Sequence, residues 1–193
     1  YGNNVTLKNI SYTNTSGSDK NGGVVYDGVN DYALNTAITI PPLTNWTIEF
    51  KASFRSDAVG KWIDLFGDSG SHAIIFHSTA GLGWYINYEN GISYLSSSNI
   101  KIGTNIPVDT ITTFAIKCEY IDTTNANVYF YVNGVLSYTY NNRTLNPSFN
   151  GFKLRFVGTS QIDRIVPWTL YYYRLYNRNL SDSEILQNYN ASI

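Results

Sequence analysis

Cysteine is almost absent. Cys118 is the single one in 193 residues, so no disulfide within the chain can staple the fold. It falls in Phe114-Ala115-Ile116-Lys117-Cys118-Glu119-Tyr120, on the same alternating side as Phe114, Ile116 and Tyr120. That position predicts a small buried hydrophobe rather than a reactive thiol. Histidine is scarce as well: His72 and His77 are the only two, which excludes a histidine-rich metal centre. Charge is sparse and balanced, 13 Lys and Arg against 14 Asp and Glu. With no basic stripe, nucleic acid is not an expected partner. No run of 18 apolar residues occurs, so the sequence predicts no membrane insertion. Methionine is missing altogether and no signal-like segment is present; the chain reads as a domain taken from a longer protein.

What the sequence does have is aromatic and β-forming. Aromatics make up 16 % of the chain, with 17 tyrosines, and such residues fit pleated, half-buried surfaces. The length suits one domain spanning 1–193, in which residues 1–23 form an N-terminal strand and a polar loop. A chain of this size buries roughly 70 % of the surface its unfolded form exposes, enough for a single core.

Strand signals separated by turn residues then recur to the C-terminus, as in a sandwich or barrel. The clearest is Trp46 to Arg55, where positions 46, 48, 50, 52 and 54 are apolar and 47, 49, 51, 53 and 55 are polar. A period of two predicts one buried and one wetter face. The clearest hairpin joins Val128–Val132 to Val135–Tyr140 through Asn133-Gly134, the pair that supplies the positive φ angles of a two-residue type I′ turn. Further strands are predicted over Lys61–Phe66, Ala73–His77, Leu82–Tyr88, Thr113–Ile121, Phe152–Val157 and Trp168–Tyr176. One short helix closes the chain: Ser181-Asp182-Ser183-Glu184 is a capping box, with acidic residues suited to the positive end of a helix dipole.

Four stretches together carry a resemblance. They are Tyr26-Asp27-Gly28-Val29-Asn30-Asp31-Tyr32, the Trp46–Phe54 strand, Tyr129-Phe130-Tyr131-Val132-Asn133-Gly134-Val135-Leu136, and Arg174-Leu175-Tyr176-Asn177-Arg178-Asn179-Leu180-Ser181 with Glu184-Ile185. In this order the chain resembles the laminin-G-like branch of the concanavalin A-like lectin and glucanase superfamily over roughly residues 24 to 190. The resemblance implies an all-β, two-sheet antiparallel jelly-roll β-sandwich with one short C-terminal helix. It also implies an extracellular, cell-surface or virion-associated setting within a larger protein. Fold alone does not settle function.

Glucanases of that superfamily carry acidic residues in a Glu-x-Asp-x-Glu arrangement on one strand. Alternate strand residues share a face, so two carboxylates can flank a glycosidic bond at about 5 Å. Glu49, Glu89 and Glu119 have no acidic residue two positions away, and Glu184 belongs to the predicted helix. Asp64 and Asp68, four apart, would share a face at roughly 13 Å, too far for such a pair. The sequence therefore predicts no catalytic residues. Members of the resembled family often hold a calcium ion, partly through an Asp about five residues before the Tyr of the Tyr-Asn-Arg motif; here that position is Tyr171. Asp27 and the backbone at Gly28 remain candidate calcium ligands, against the plainer reading of Asp27-Gly28 as turn chemistry.

Ligand pockets combine aromatic walls with a few placed polar groups. Trp62 and Asp64 alternate against Ile63 and Leu65, a mixture unlike a plain core face, and His72 and His77 fall on a neighbouring strand. In Gly83-Trp84-Tyr85-Ile86-Asn87-Tyr88, the positions of Trp84 and Ile86 suit core, leaving Tyr85 and Asn87 for an open face. Trp168, after Arg164-Ile165-Val166-Pro167, suggests a loop-to-strand edge. The expected ligand-binding set is Trp62, Asp64, His77, Tyr85, Asn87 and Trp168, and the expected partner a glycan or cell-surface receptor, with homo-oligomerisation through the parent protein. The alternative is an assembly domain without a glycan ligand, and a glycoside hydrolase comes third.

Overall fold

The computed structural model describes residues 6–13, 16–40, 45–58, 62–68, 72–77, 83–88, 107–123, 125–144, 152–156 and 167–192, with side chains left aside at 34–40, 58, 62–68, 72–77, 83–88, 142–144 and 152–156. Among them run thirteen strands: β1 (Thr6–Lys8), β2 (Gly17–Ser18), β3 (Val24–Asp27), β4 (Tyr32–Ile40), β5 (Trp46–Phe54), β6 (Trp62–Asp68), β7 (His72–His77), β8 (Gly83–Tyr88), β9 (Thr112–Tyr120), β10 (Asn125–Val132), β11 (Val135–Thr144), β12 (Phe152–Phe156) and β13 (Pro167–Tyr176), followed by helix α1 (Asp182–Asn190). They form two antiparallel sheets, ordered β1-β4-β12-β6-β7-β8 and β11-β10-β9-β5-β13-β3-β2. This is the two-sheet β-sandwich that the resemblance implies, closed by the short C-terminal helix that the capping box predicts. Consecutive strands pair within β6-β7-β8, β9-β10-β11 and β2-β3, while β4-β12, β12-β6, β5-β9 and β5-β13-β3 join strands distant in sequence.

The core lies on the apolar side of β5. Ile48, Phe50, Ala52 and Phe54 are fully buried, and so are Phe130 and Ile116 on the adjoining strands. Aromatic rings tile this face: Phe50 stacks on Phe114 at 5.1 Å, and Trp168 stacks on Phe54 at 5.3 Å. Rings offset or tilted in this way gain quadrupole attraction beyond their buried area. Cys118 is buried in the same layer, as expected, and burial pushes its thiol pKa far up.

The Asn133-Gly134 turn forms as predicted, with φ of 50° and 75°. Asn133 also ties the turn to β9. Its N–H donates to the Thr113 carbonyl at 2.8 Å, and its Oδ1 accepts from the Thr113 N–H at 3.1 Å.

The other side of β5 differs from the expectation. Positions 47 and 49 are not on a wet face: Thr47 and Glu49 are 0 % and 2 % exposed. The segment after β13 and helix α1 fold back over them. Thr47 Oγ1 donates to the Arg178 carbonyl at 3.1 Å and accepts from the Leu180 N–H at 3.0 Å. Leu180 and Ile185 then bury with Ala115 and Tyr131 in a second, smaller core, with Tyr129 and Tyr176 packed against it. A strand pattern shows which residues are polar, not which are later covered.

Helix α1 is fixed at its start by the predicted capping box. The Glu184 N–H donates to Ser181 Oγ at 3.2 Å, and the Ser181 N–H donates to Glu184 Oε2 at 2.8 Å. Arg178 clasps the same carboxylate with two bonds of 3.0 and 2.7 Å. That guanidinium, helped by the Ser181 N–H, holds the Glu184 pKa at about 2, below its ordinary 4.5. A pKa lowered in the folded state contributes stability that is present above the unfolded value and lost as pH falls through the folded one. Amide protection in residues 182–190 should therefore decline between pH 4.5 and about 2, ahead of the sheets. Hydrogen exchange across that range checks it; simultaneous loss in β5 and α1 would contradict a separate helix lock.

Candidate functional site

Backbone pairing settles which sequence-predicted positions come together. Trp62 lies opposite His77 and Asp64 opposite Ile75; on the next strand Ile75 lies opposite Tyr85 and Ala73 opposite Asn87. Directly paired positions share a sheet face, and so do alternate positions along a strand. Trp62, Asp64, His77, Tyr85 and Asn87 thus occupy one face of the β6-β7-β8 unit, together with Ala73 and Ile75. Ile63, Phe66, Ile74, Phe76, Trp84 and Ile86 occupy the opposite face, with the paired Asp68 and His72 at its end. The side chains of β6, β7 and β8 lie outside the described residues.

Two expectations change here. His72 is five residues from His77 on a strand whose pairing with β8 is unbroken, so it takes the opposite face and does not join the Trp62–Asp64 group. Asp64 and Asp68 do not share a face either. The register skips between Asp64 and Phe66, leaving Leu65 as the extra residue of a bulge, and a single added residue inverts every later position. The two carboxylates are thus separated by face as well as by length.

The described glutamates are engaged structurally. Glu49 Oε2 accepts from the Tyr176 hydroxyl at 3.1 Å, and both Glu49 oxygens accept from Asn188 Nδ2. Glu119 accepts from the Tyr129 hydroxyl at 2.8 Å. Glu184 caps α1. None of these is paired with a second carboxylate across an open face.

Trp168 is a correction. It is wholly buried, wedged between Phe54, Phe50 at 6.2 Å and Tyr26 at 6.1 Å. Its place on β13 opposite both Tyr26 and Phe54 makes it a central core residue, out of reach of any ligand. The local sequence suggested a strand edge, but β13 lies inside its sheet, between β5 and β3.

Asp27 and Gly28 form a turn. Asp27 Oδ1 accepts from the N–H groups of Val29 at 2.7 Å and Asn30 at 3.2 Å. Gly28 has φ +79°, and a Cβ there would lie 2.9 Å from atoms of Pro167, including its backbone nitrogen. Gly28→Ala should destabilise by about 1–3 kcal/mol from left-handed strain plus the clash; a chemical denaturation midpoint equal to wild type would contradict that reading. Asp31 is fully buried, and its Oδ2 accepts from the Asp27 N–H at 2.9 Å. Burial first, then the neighbouring Asp27 charge, raises its pKa against the opposing pull of the Ser16 hydroxyl. Its Oδ1 has no hydrogen-bond partner.

Calcium takes 6–8 oxygens. Backbone N–H groups engage Asp27 Oδ1 and Asp31 Oδ2, and no group of three His, Cys, Asp or Glu side chains converges among the described residues. Tyr171 follows Leu170, which pairs with Val24 at the far end of β3 from Asp27, roughly 10 Å away at the rise of a strand.

With the fold and these groups placed, the chain is a two-sheet antiparallel β-sandwich. No family model matches its sequence, and no curated protein matches it. Solved structures do match in shape. The binding domain of Paraclostridial mosquitocidal protein 1 superposes with a TM-score of 0.59 at 17 % identity, over 99 % of this chain and 48 % of that one. The receptor binding domain of botulinum neurotoxin mosaic serotype C/D gives 0.59 at 12 % identity, over 98 % and 46 %. A mutant Trypanosoma rangeli sialidase displaying trans-sialidase activity gives 0.63 at 14 % identity, over 97 % and 29 %. The chain spans less than half the length of each, and at these identities the likeness is one of fold.

Proposed function

We propose that this chain is a non-catalytic carbohydrate- or receptor-binding module of the laminin-G-like type, part of a larger extracellular, cell-surface or virion protein. Its binding face is the Trp62–Asp64–His77–Tyr85–Asn87 side of β6-β7-β8. The observation that carries this reading is the register: five positions picked for their chemistry from three separate strands fall on a single face. Two aromatic residues among a carboxylate, an imidazole and an amide suit a sugar, whose ring stacks on an aromatic plane while its hydroxyls meet polar groups. Gly83, opposite His77, adds no side chain to the row of Trp62. The sandwiches of similar shape include binding and receptor binding domains, which supports a binding role. Against catalysis stand the separation of Asp64 from Asp68 and the structural engagement of Glu49, Glu119 and Glu184.

A glycan array probed with the isolated chain tests the proposal. Retention on a chemically related subset of glycans is expected. Silence across the array, with self-association in sedimentation, would favour an assembly domain instead.

A further inference from the structure

We infer that the loop between β2 and β3 is fastened to β13 by a Tyr171–Asp19 hydrogen bond, a metal-free clip at the position where the resembled family places a calcium-binding carboxylate. Tyr171 sits at the irregularity of β13, where the pairing with β5 skips from Leu170 to Tyr172. Its hydroxyl donates to Asp19 Oδ2 at 2.9 Å. The other oxygen, Oδ1, accepts from the N–H groups of Gly23 at 2.7 Å and Asn21 at 2.9 Å. The Asp19 N–H in turn donates to the Gly23 carbonyl at 2.9 Å, closing the loop on itself.

Both oxygens of the carboxylate therefore face hydrogen-bond donors. A donor and a cation compete for the same lone pairs, and a tyrosine hydroxyl offers a proton where an aspartate in its place would offer negative charge for an ion to bridge. Burial works to raise the Asp19 pKa, yet the Gly23 N–H and the Tyr171 hydroxyl outweigh it and hold it below the usual range; the carboxylate stays charged and the clip stays made. The ring completes the fit. A Cβ on Gly23 would stand 2.8 Å from Tyr171 Cε1 and 2.5 Å from Thr169 Cγ2, so glycine is what lets the tyrosine lie close against the loop and reach Asp19.

The test compares the chain, Tyr171→Phe and Asp19→Asn in excess calcium chloride and in excess EDTA, by thermal melting and by amide exchange at Asn21 and Gly23. The wild-type midpoint should be the same in both media. Tyr171→Phe should lower it by about 3–12 °C in both, the loss of one hydrogen bond to a charged group in a chain of this size. Exchange at Asn21 and Gly23 should accelerate in both variants, independent of metal. A wild-type midpoint that rises with calcium and falls with EDTA would overturn the inference. So would wild-type exchange rates at Gly23 in Tyr171→Phe, or, if that variant does not fold, in Asp19→Asn.

Discussion

Replacing Trp168 with alanine should lower the melting midpoint by about 6–20 °C. Truncating a fully buried aromatic removes both its transfer free energy and the contacts of the cavity it leaves, about 3–5 kcal/mol for Trp→Ala. In a chain of this length each kcal/mol moves the midpoint by about 2–4 °C. The size of the effect follows from position: Trp168 joins β13 to β5 through Phe54 and Phe50 and to β3 through Tyr26, and the cavity would open between three strands of one sheet. The binding-edge role that the local sequence suggested makes the opposite forecast, a lost ligand with stability unchanged. Circular dichroism melting distinguishes the two.

Glu49→Ala should cost about 1–3 kcal/mol, the range for leaving a buried donor without its acceptor. Glu49 is the acceptor under α1 for Tyr176 and Asn188. The nearby Arg174, at 3.8 Å and 40 % exposed, adds little, because solvent screens it. The loss should concentrate in the docking of α1. Removing the carboxylate takes the acceptor from the Tyr176 hydroxyl and leaves the Asn188 amide only its 3.3 Å bond to that hydroxyl, and amides in 182–190 should then exchange before those of β9 and β10. Glu49→Gln, which keeps an acceptor, should fall between Ala and wild type. Uniform destabilisation of helix and sheets would contradict the assignment of Glu49 to the helix seam.

Much of the fold was legible in local signals. The apolar alternation of β5, the positive-φ pair at Asn133-Gly134 and the Ser181–Glu184 box each have a short-range physical cause, and each is realised. β4 is poorly legible although its positions alternate, because Ala33, Asn35 and Ala37 have little preference for strand. Three further features needed the third dimension. Thr47 and Glu49 look solvent-facing until α1 covers them. Trp168 looks peripheral until β13 is seen between β5 and β3. The Leu65 bulge, which no residue type announces, decides that Asp64 and Asp68 part company. The candidate binding face lies between these cases. Alternation within each strand gave its residues, but only the pairing register shows that Trp62, His77, Tyr85 and Asn87 meet on one side, and that His72 does not.

The most direct measurement is glycan retention by Trp62→Ala beside wild type on the same array, with melting midpoints recorded for both. A site on the β6-β7-β8 face predicts that wild type is retained on a related set of glycans. Trp62→Ala should then lose that retention while melting at the same temperature. Undiminished retention by the variant, or its unfolding, would place Trp62 outside the site or inside the core and contradict the assignment.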